Sequence, residues 1–463
     1  MKTAPKFEEE NPFGGLHPED PLQHSSDHEQ EKGTQEPEPH DASRQDTRSV
    51  AESQLPSPPD GGLHAWLKVL GGFLIYINIW GFTLSYGTFQ SYYTSTLLST
   101  TSPSAISWIG TVQAWLLIVI GALSGPLFDL GYFRTMLCVG NFLVVFGIMM
   151  LSLSKTYWQI FLSQGVCMGL GAGLLYIPSL ALVGIWFERK RAVAMGVVMS
   201  GIAVGGVVYI IMFDRLTPTA GFPWAIRCMG FVALAAALLS FPALLSGARV
   251  VAHKRKARAL FDRTALHDRL FLVFTASMFF TFLGYIVPYF YIPTYAREKL
   301  GTSDSLALYM LVMSVAGSFF GRLASGVLAH HLGSSVTWGL CAFASGVLAL
   351  SWISIERVGT FIAFSILWGF FSAALVTLPS ATFANICPDI SRLGTRMGMS
   401  WSVSSIASLI GSPIAGALLK TKDGRRDFLG VQLWSGVCLM MGTCWLAVLW
   451  WASSRKLGKG WRI

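Results

Sequence analysis

Tyr309 to Gly333 reads YMLVMSVAGSFFGRLASGVLAHHLG, an apolar run broken by one charge, Arg322. The run is longer than the ~20 apolar residues a helix needs to cross the hydrocarbon layer of a bilayer. A central arginine costs about 2.5–3.5 kcal/mol on insertion scales and each Leu, Ile, Phe or Val returns about 0.3–0.6, so the segment inserts in spite of Arg322. A charge kept at that cost faces a water-filled path or a partner inside a helix bundle, and its first reading is a substrate or ion pathway. The competing reading is a tether that bonds backbone carbonyls of a neighbouring helix.

The rest of the chain extends this pattern. Of its 463 residues 52% are hydrophobic, 13% aromatic and only 13% charged, with a mean hydropathy of +0.52. A soluble domain carries about 25% charged residues. Apolar runs recur at about 66–92, 105–128, 135–153, 159–183, 193–213, 225–245, 270–294, 305–330, 334–353, 360–384, 395–419 and 431–452. The expected fold class is an all-α membrane protein of twelve transmembrane helices, with the lipid bilayer as a partner.

Internal repeats organise the twelve. Gly125-Pro-Leu-Phe-Asp-Leu-Gly131 is echoed by the run Gly326 to Gly333, Ile177-Pro-Ser by Leu378-Pro-Ser, and the basic loop ending at Gly196 by the loop ending at Gly398. The offsets are 201, 201 and 202 residues. Such a repeat predicts two parallel six-helix halves with a binding site at the midplane between them. The expected divisions are a tail over 1–60, an N-terminal half over 61–245, a basic linker over 246–269, a C-terminal half over 270–452 and a basic tail over 453–463.

Residues 1–60 hold 14 Asp and Glu against 5 Lys and Arg, a net −9 that leaves +18 on the remainder. Rich in Glu, Pro and Ser, they bury too little apolar surface to offset ordering and are read as disordered. No apolar run opens the chain, so no cleaved signal peptide is expected. The positive charge sits mainly in loops between apolar runs, which favours a topology signal over nucleic-acid binding. With both termini cytoplasmic, inner segments carry 17 Lys and Arg and outer loops 9, four of the latter in KTKDGRRDF. The bias predicts cytoplasmic termini. Seven scattered Cys give no disulfide framework, and neither they nor the tail histidines have metal-ligand spacing.

Candidate functional residues follow from the cost of polar groups in lipid. The first span carries Asn78 near its centre and Tyr86 and Gln90 toward its outer end. The seventh carries Gly284, Pro288 and Pro293 with Tyr285, Tyr289 and Tyr291, which predicts a bent or broken outer half lining a gate or site. Trp368 and Trp401 are candidates to stack on a planar substrate. Gly165, Gly169, Gly171 and Gly173, then Gly196, Gly201, Gly205 and Gly206, then Gly411 and Gly416 read mainly as close helix contacts. No phosphate loop, zinc-protease motif or nucleophile elbow occurs, so an enzyme or an ATP-driven pump is not the reading. No cofactor or metal is implied. Asp129 and Asp214 stand only at span ends, so proton coupling through a buried carboxylate lacks an evident carrier; coupling to a proton or a counter-substrate stays open.

Four stretches resemble the major facilitator superfamily and, within it, the fungal branch of the monocarboxylate transporter family. Asp60-Gly61-Gly62 with Trp66 is similar to the opening signature. Trp186 to Gly196, with Arg189, Lys190 and Arg191, is similar to the second. Arg322-x-x-x-Gly326 resembles the eighth-helix motif whose Arg meets a substrate carboxylate, and Gly411 to Gly416 resembles the eleventh-helix motif. The resemblance covers about 60–452 and implies alternating access between halves, with Arg322 as the polar anchor. Asn78, Tyr86, Gln90, Tyr285 and Trp368 are the secondary candidates for substrate contact. Asp60, Gly61, Gly62, Asp129, Arg189, Lys190, Arg191 and Gly326 belong to conformational loop motifs. Where animal members carry a proton-coupling Asp and a first-helix Lys, this chain has Ser318 and Gln90. The expected function is therefore secondary transport of a small organic metabolite, an organic anion or a secondary metabolite. The alternatives are a riboflavin or monocarboxylate importer and a non-transporting sensor. A plasma membrane, with a vacuolar or other internal membrane as the alternative, is the expected location.

Overall fold

The computed structural model describes residues 61–187, 190–246, 259–387, 392–422 and 425–457. Asp60, Arg189 and the 1–60 tail lie outside the described residues, as do residues 247–258 of the linker. Helices account for nearly all of what is described. Ten are long and apolar enough to cross a membrane: α1 (Leu63–Leu97), α2 (Pro103–Asp129), α3 (Phe133–Leu151), α4 (Tyr157–Trp186), a long rod Arg191–Leu245, α7 (Arg269–Glu298), α8 (Asp304–Leu332), α9 (Ser334–Ser354), α10 (Val358–Ile386) and α12 (Leu429–Leu457). The rod breaks at Gly221, whose φ of 78° and ψ of 162° are not helical, and so makes two passes, α5 (191–220) and α6 (222–245). A residue with a side chain resists that left-handed φ, which is why the turn uses glycine. α11 (Leu393–Ala417) is the twelfth pass. It is less apolar because six serines, Ser400, Ser402, Ser404, Ser405, Ser408 and Ser412, run along it.

Several boundaries follow from local chemistry. Ser102 caps α2 by accepting from the Ala105 amide at 3.2 Å, with Pro103 at the first helical position where its missing N–H costs nothing. Asp268 and Ser303 cap α7 and α8 through the Leu270 and Leu306 amides. Gly131 and Gly333, the turn glycines of the repeated motif, share a φ of 89°. The repeat read from residue types is thus also a repeat of backbone conformation.

α7 departs from expectation. Its prolines leave it one continuous helix from Arg269 to Glu298. A proline removes the bond to the carbonyl four residues earlier. The carbonyl freed by Pro288, that of Gly284, accepts instead from the Ser435 hydroxyl of α12 at 2.9 Å. The carbonyl freed by Pro293, that of Tyr289, packs directly on Gly87 of α1.

Within the N-terminal half α1 lies along α5 and α6, and α2 along α4; within the C-terminal half α7 lies along α12, and α8 along α10. The halves meet through α1 with α7, α2 with α11 and α5 with α8. Glycines allow the tight contacts as expected, with a Cβ on Gly81 falling 2.7 Å from Gly205 and one on Gly171 2.7 Å from the Gly140 carbonyl. Gly196 and Gly326 are exceptions, since a Cβ there meets nothing within 4 Å. A feature not expected above, although the sequence pair Asp423-Gly424 is a hairpin signature, is the short hairpin of β1 (Lys420–Lys422) and β2 (Arg425–Asp427) before α12, where Arg426 donates to Glu298 at 2.8 Å.

Candidate functional site

Between the halves lies a cavity of about 230 Å³. Tyr76 and Trp80 of α1, one helical turn apart, share a face. With Ile118, Ala122 and Gly125 of α2, Tyr176, Ile177 and Leu180 of α4, and Met199 and Ile202 of α5, they form one wall. The C-terminal half supplies Arg322 of α8, Val376, Thr377 and Ser380 of α10, and Gly394, Met397, Gly398 and Trp401 of α11. The two halves of the Pro-Ser repeat, at Ile177 and Ser380, therefore lie on opposite walls. The lining runs from mid-helix positions, Tyr76, Trp80, Ile118, Tyr176, Ile202 and Arg322, to Gly125, Leu180, Gly394 and Gly398 nearer the loops after α2, before α5 and before α11. The cavity reaches from the middle of the bundle to that end.

The opposite end is shut by contacts across the halves. Tyr86 packs on Phe290 with rings tilted and centroids 4.6 Å apart, and Ser107 and Tyr291 share a hydrogen bond of 3.0 Å. Ser104 donates to the Pro413 carbonyl at 2.9 Å, and Arg215 to the Tyr309 hydroxyl at 2.8 Å. Most of this seal is hydroxyl, carbonyl and ring.

Arg322 is half-buried at the cavity wall. Its Nη1 donates to Ser318, one turn earlier, at 3.1 Å; its Nε is buried with no partner. Tyr285 and Tyr289 lie close enough to interact electrostatically with the guanidinium, and among the described residues no carboxylate pairs with it. The tether reading is not what the geometry displays, because among the described residues no backbone carbonyl accepts from Arg322. Four rings, those of Tyr76, Trp80, Tyr176 and Trp401, stand in otherwise mainly aliphatic walls: Tyr176 meets Trp80 edge-on at 5.5 Å and Tyr76 at 5.9 Å, and Trp401 packs on Phe282 at 5.3 Å. A cation in an apolar, aromatic chamber favours a ligand with an acidic or strongly accepting group and a flat body.

Of the other substrate contacts expected from the sequence, only Trp401 lines this cavity. Asn78, 2% exposed, donates to the Ala233 carbonyl at 2.9 Å and accepts from Tyr209 at 2.7 Å, so both ends of its amide are occupied inside the N-terminal half. Tyr86 donates to the Ile106 carbonyl, and Gln90 accepts from Ser107 at 3.4 Å; both belong to the closed end. Tyr285 is buried against Phe282 and Tyr289. Trp368 is fully buried and packs on Tyr289 and Phe364, which takes it out of stacking reach, while Trp401 does line the cavity. Gly62 caps α1 with a φ of 84°, Gly61 precedes it, Asp129 ends α2 and Lys190 caps α5 ahead of Arg191. The two signature stretches touch, Trp66 meeting Phe187 edge-on at 5.5 Å and Lys68 lying 5.4 Å from the Trp186 ring.

A second polar cluster, unanticipated from the sequence, pins the end of the linker to α11. Arg396, 6% exposed, donates to Asp262 and Asp268 at 2.9 Å each and to Thr264 at 3.1 Å. Thr395 adds a bond to the Ala259 carbonyl at 2.6 Å. Hydrogen bonds from Thr264, then from Arg396, hold the Asp262 carboxyl down at about 2. The clamp fixes the start of α11, where Gly394, Met397, Gly398 and Trp401 face the cavity. Charge pairs separated by over 120 positions in the chain carry no local pattern, so only the excess of Arg and Asp near 262–268 and 392–396 hinted at it.

The Major Facilitator Superfamily profile matches residues 69–355. The MFS-type transporter dbaD of Emericella nidulans is 37% identical over 82% of this chain and 84% of its own length. The aspyridones efflux protein apdF of the same organism is 36% identical over 83% of this chain and 77% of its own. The agnestins efflux protein AgnL12 of Paecilomyces divaricatus is 33% identical over 87% and 92%. A transporter of small organic molecules, not an enzyme, is what these relatives and the helical bundle establish, and the chain belongs to the major facilitator superfamily.

Proposed function

We propose that this transporter exports a flat, weakly acidic organic metabolite of the secondary-metabolite kind, with Arg322 as the partner of the acidic group. The observation that carries the reading is the half-buried guanidinium of Arg322, which lines a cavity with aromatic walls and has no carboxylate partner among the described residues. Two relatives named as efflux proteins support the direction. The Lys and Arg bias supports cytoplasmic termini, most simply at a plasma membrane, and with that orientation the described state is the inward-facing one that loads an export substrate. The fungal monocarboxylate resemblance agrees with an acidic group at Arg322. Ser318, which accepts from Arg322, has no acidic proton to exchange near neutral pH, so the ligand's own charge is the simplest coupling species.

Counterflow in proteoliposomes tests this with flat aromatic acids, riboflavin, lactate and pyruvate, in wild type and Arg322→Ala. Saturable exchange of the aromatic acids that vanishes in the variant is expected. Exchange of lactate or pyruvate without the aromatic acids, or of a neutral compound equally in both proteins, overturns the proposal.

A further inference from the structure

Arg322 is not alone at the cavity in lacking a partner. Trp80 lines the same cavity from the other half, is 6% exposed, and its Nε1–H is buried with no acceptor. Tyr176 meets its ring edge-on, and Tyr76, one turn earlier on α1, packs on Tyr176 as well. This wall fixes the indole. A buried donor without an acceptor is a standing cost that an incoming acceptor removes. Other tryptophans with an unpaired Nε1–H, such as Trp338, Trp352 and Trp368, are fully buried inside the C-terminal half and away from the cavity. Trp80 alone among them shares the cavity wall with a cation.

We infer that Trp80 is a specificity-determining residue whose indole N–H binds a neutral acceptor, a ring carbonyl, on the same ligand whose acidic group meets Arg322. The inference rests on the proposed acidic-ligand reading of the cavity and adds a second, differently charged subsite. The two donors differ in kind. A guanidinium selects an anion, whereas an indole N–H is neutral and carries no such preference for charge, so it suits a carbonyl. They also belong to different halves, Trp80 to the N-terminal and Arg322 to the C-terminal. A ligand that bonds both bridges the parts that must move against each other, so the substrate class is a flat conjugated acid with a ring carbonyl set apart from the acid.

A matched pair of probes separates the subsites: anthraquinone-2-carboxylate and anthracene-2-carboxylate share outline and charge and differ in the ring carbonyls. Binding of each is measured by calorimetry to the full chain in lipid nanodiscs, for wild type, Trp80→Phe and Arg322→Gln. The wild type is expected to prefer the quinone by about tenfold, the worth of one neutral hydrogen bond whose donor otherwise stays unpaired. Trp80→Phe should bring the ratio to about one, and Arg322→Gln should weaken both probes while leaving the ratio. The ratio is taken on one preparation, so a loss of folded protein in a variant cancels. A preference that survives Trp80→Phe, or none in the wild type, overturns the assignment of Trp80 and leaves the acidic-ligand reading standing. Binding of neither probe to wild type, or of both unchanged in Arg322→Gln, overturns that reading and the inference with it.

Discussion

Arg396 on α11 donates to two carboxylates at 2.9 Å and to Thr264, whereas Arg322 on α8 keeps one bond, to a serine in its own helix, and leaves Nε unpaired. A third buried cation, Lys68 on α1, is used up by the carbonyls at the end of α6, donating to Leu244 at 2.7 Å and Ala243 at 3.2 Å and also to Ser246. Lys68 and Arg396 tie elements together and are compensated in place. Arg322 is compensated only in part, beside an aromatic cavity. The contrast teaches that a buried charge becomes a candidate site through what it lacks, since desolvation that the protein does not repay is left for a ligand to repay.

The contrast breaks most visibly at Arg322. Arg322→Gln should lower transport of an acidic substrate about 100-fold, the usual consequence of removing one member of a desolvated charge pair, while apparent Tm changes little. Initial rates in proteoliposomes beside thermal unfolding check this. At Arg396 the two readouts should exchange. Arg396→Ala strands two carboxylates and should cost about 3 kcal/mol of stability, with ligand affinity retained in the folded fraction. If Arg396→Ala abolishes binding in folded protein, the clamp is part of the site and the contrast fails.

The closed end sharpens the comparison, since it holds the halves together largely without charge. Gly87 lies directly against the Tyr289 carbonyl across the halves, so Gly87→Ala should overpack that seal by about 1–3 kcal/mol and shift the population toward the opposite state. Distances between spin labels at the two ends read the shift. Tyr291→Phe removes the bond to Ser107 and should produce a smaller shift, about 1 kcal/mol or a few-fold in population. The smallest effect concerns pH. The Asp262 carboxyl is held near 2, below its unfolded value of 3.8, so its contribution is fully present above about pH 4 and is lost as pH falls toward 2. The difference in Tm between wild type and Asp262→Asn should be constant from pH 7 to 5 and shrink below 4.

How legible all this was depended on the range of the signal. Apolar runs and the repeat at offsets near 200 were enough for twelve passes in two halves, because hydropathy and turn glycines act within one helix or one loop. Arg322 stood out for the same local reason. The cavity wall did not, since Tyr76, Trp80 and Tyr176 look like any lipid-facing or core aromatics until the helices are packed. Asn78 illustrates the opposite error: its polarity in mid-membrane flagged it, but its amide is satisfied by Ala233 and Tyr209, partners over 130 positions away. The seventh helix stays unbroken because Ser435, far along the chain, accepts the role of the bond that Pro288 removes.

The most direct test of the central claim is the affinity of full-length protein in nanodiscs for anthracene-2-carboxylate and for its neutral carboxamide, in wild type and Arg322→Gln. If the unpaired guanidinium of Arg322 is the partner of the ligand's acid, the wild type prefers the carboxylate and Arg322→Gln loses that preference by about 100-fold, with the carboxamide nearly unaffected. If the preference for the carboxylate is the same in both proteins, Arg322 is not the anchor and the account is wrong.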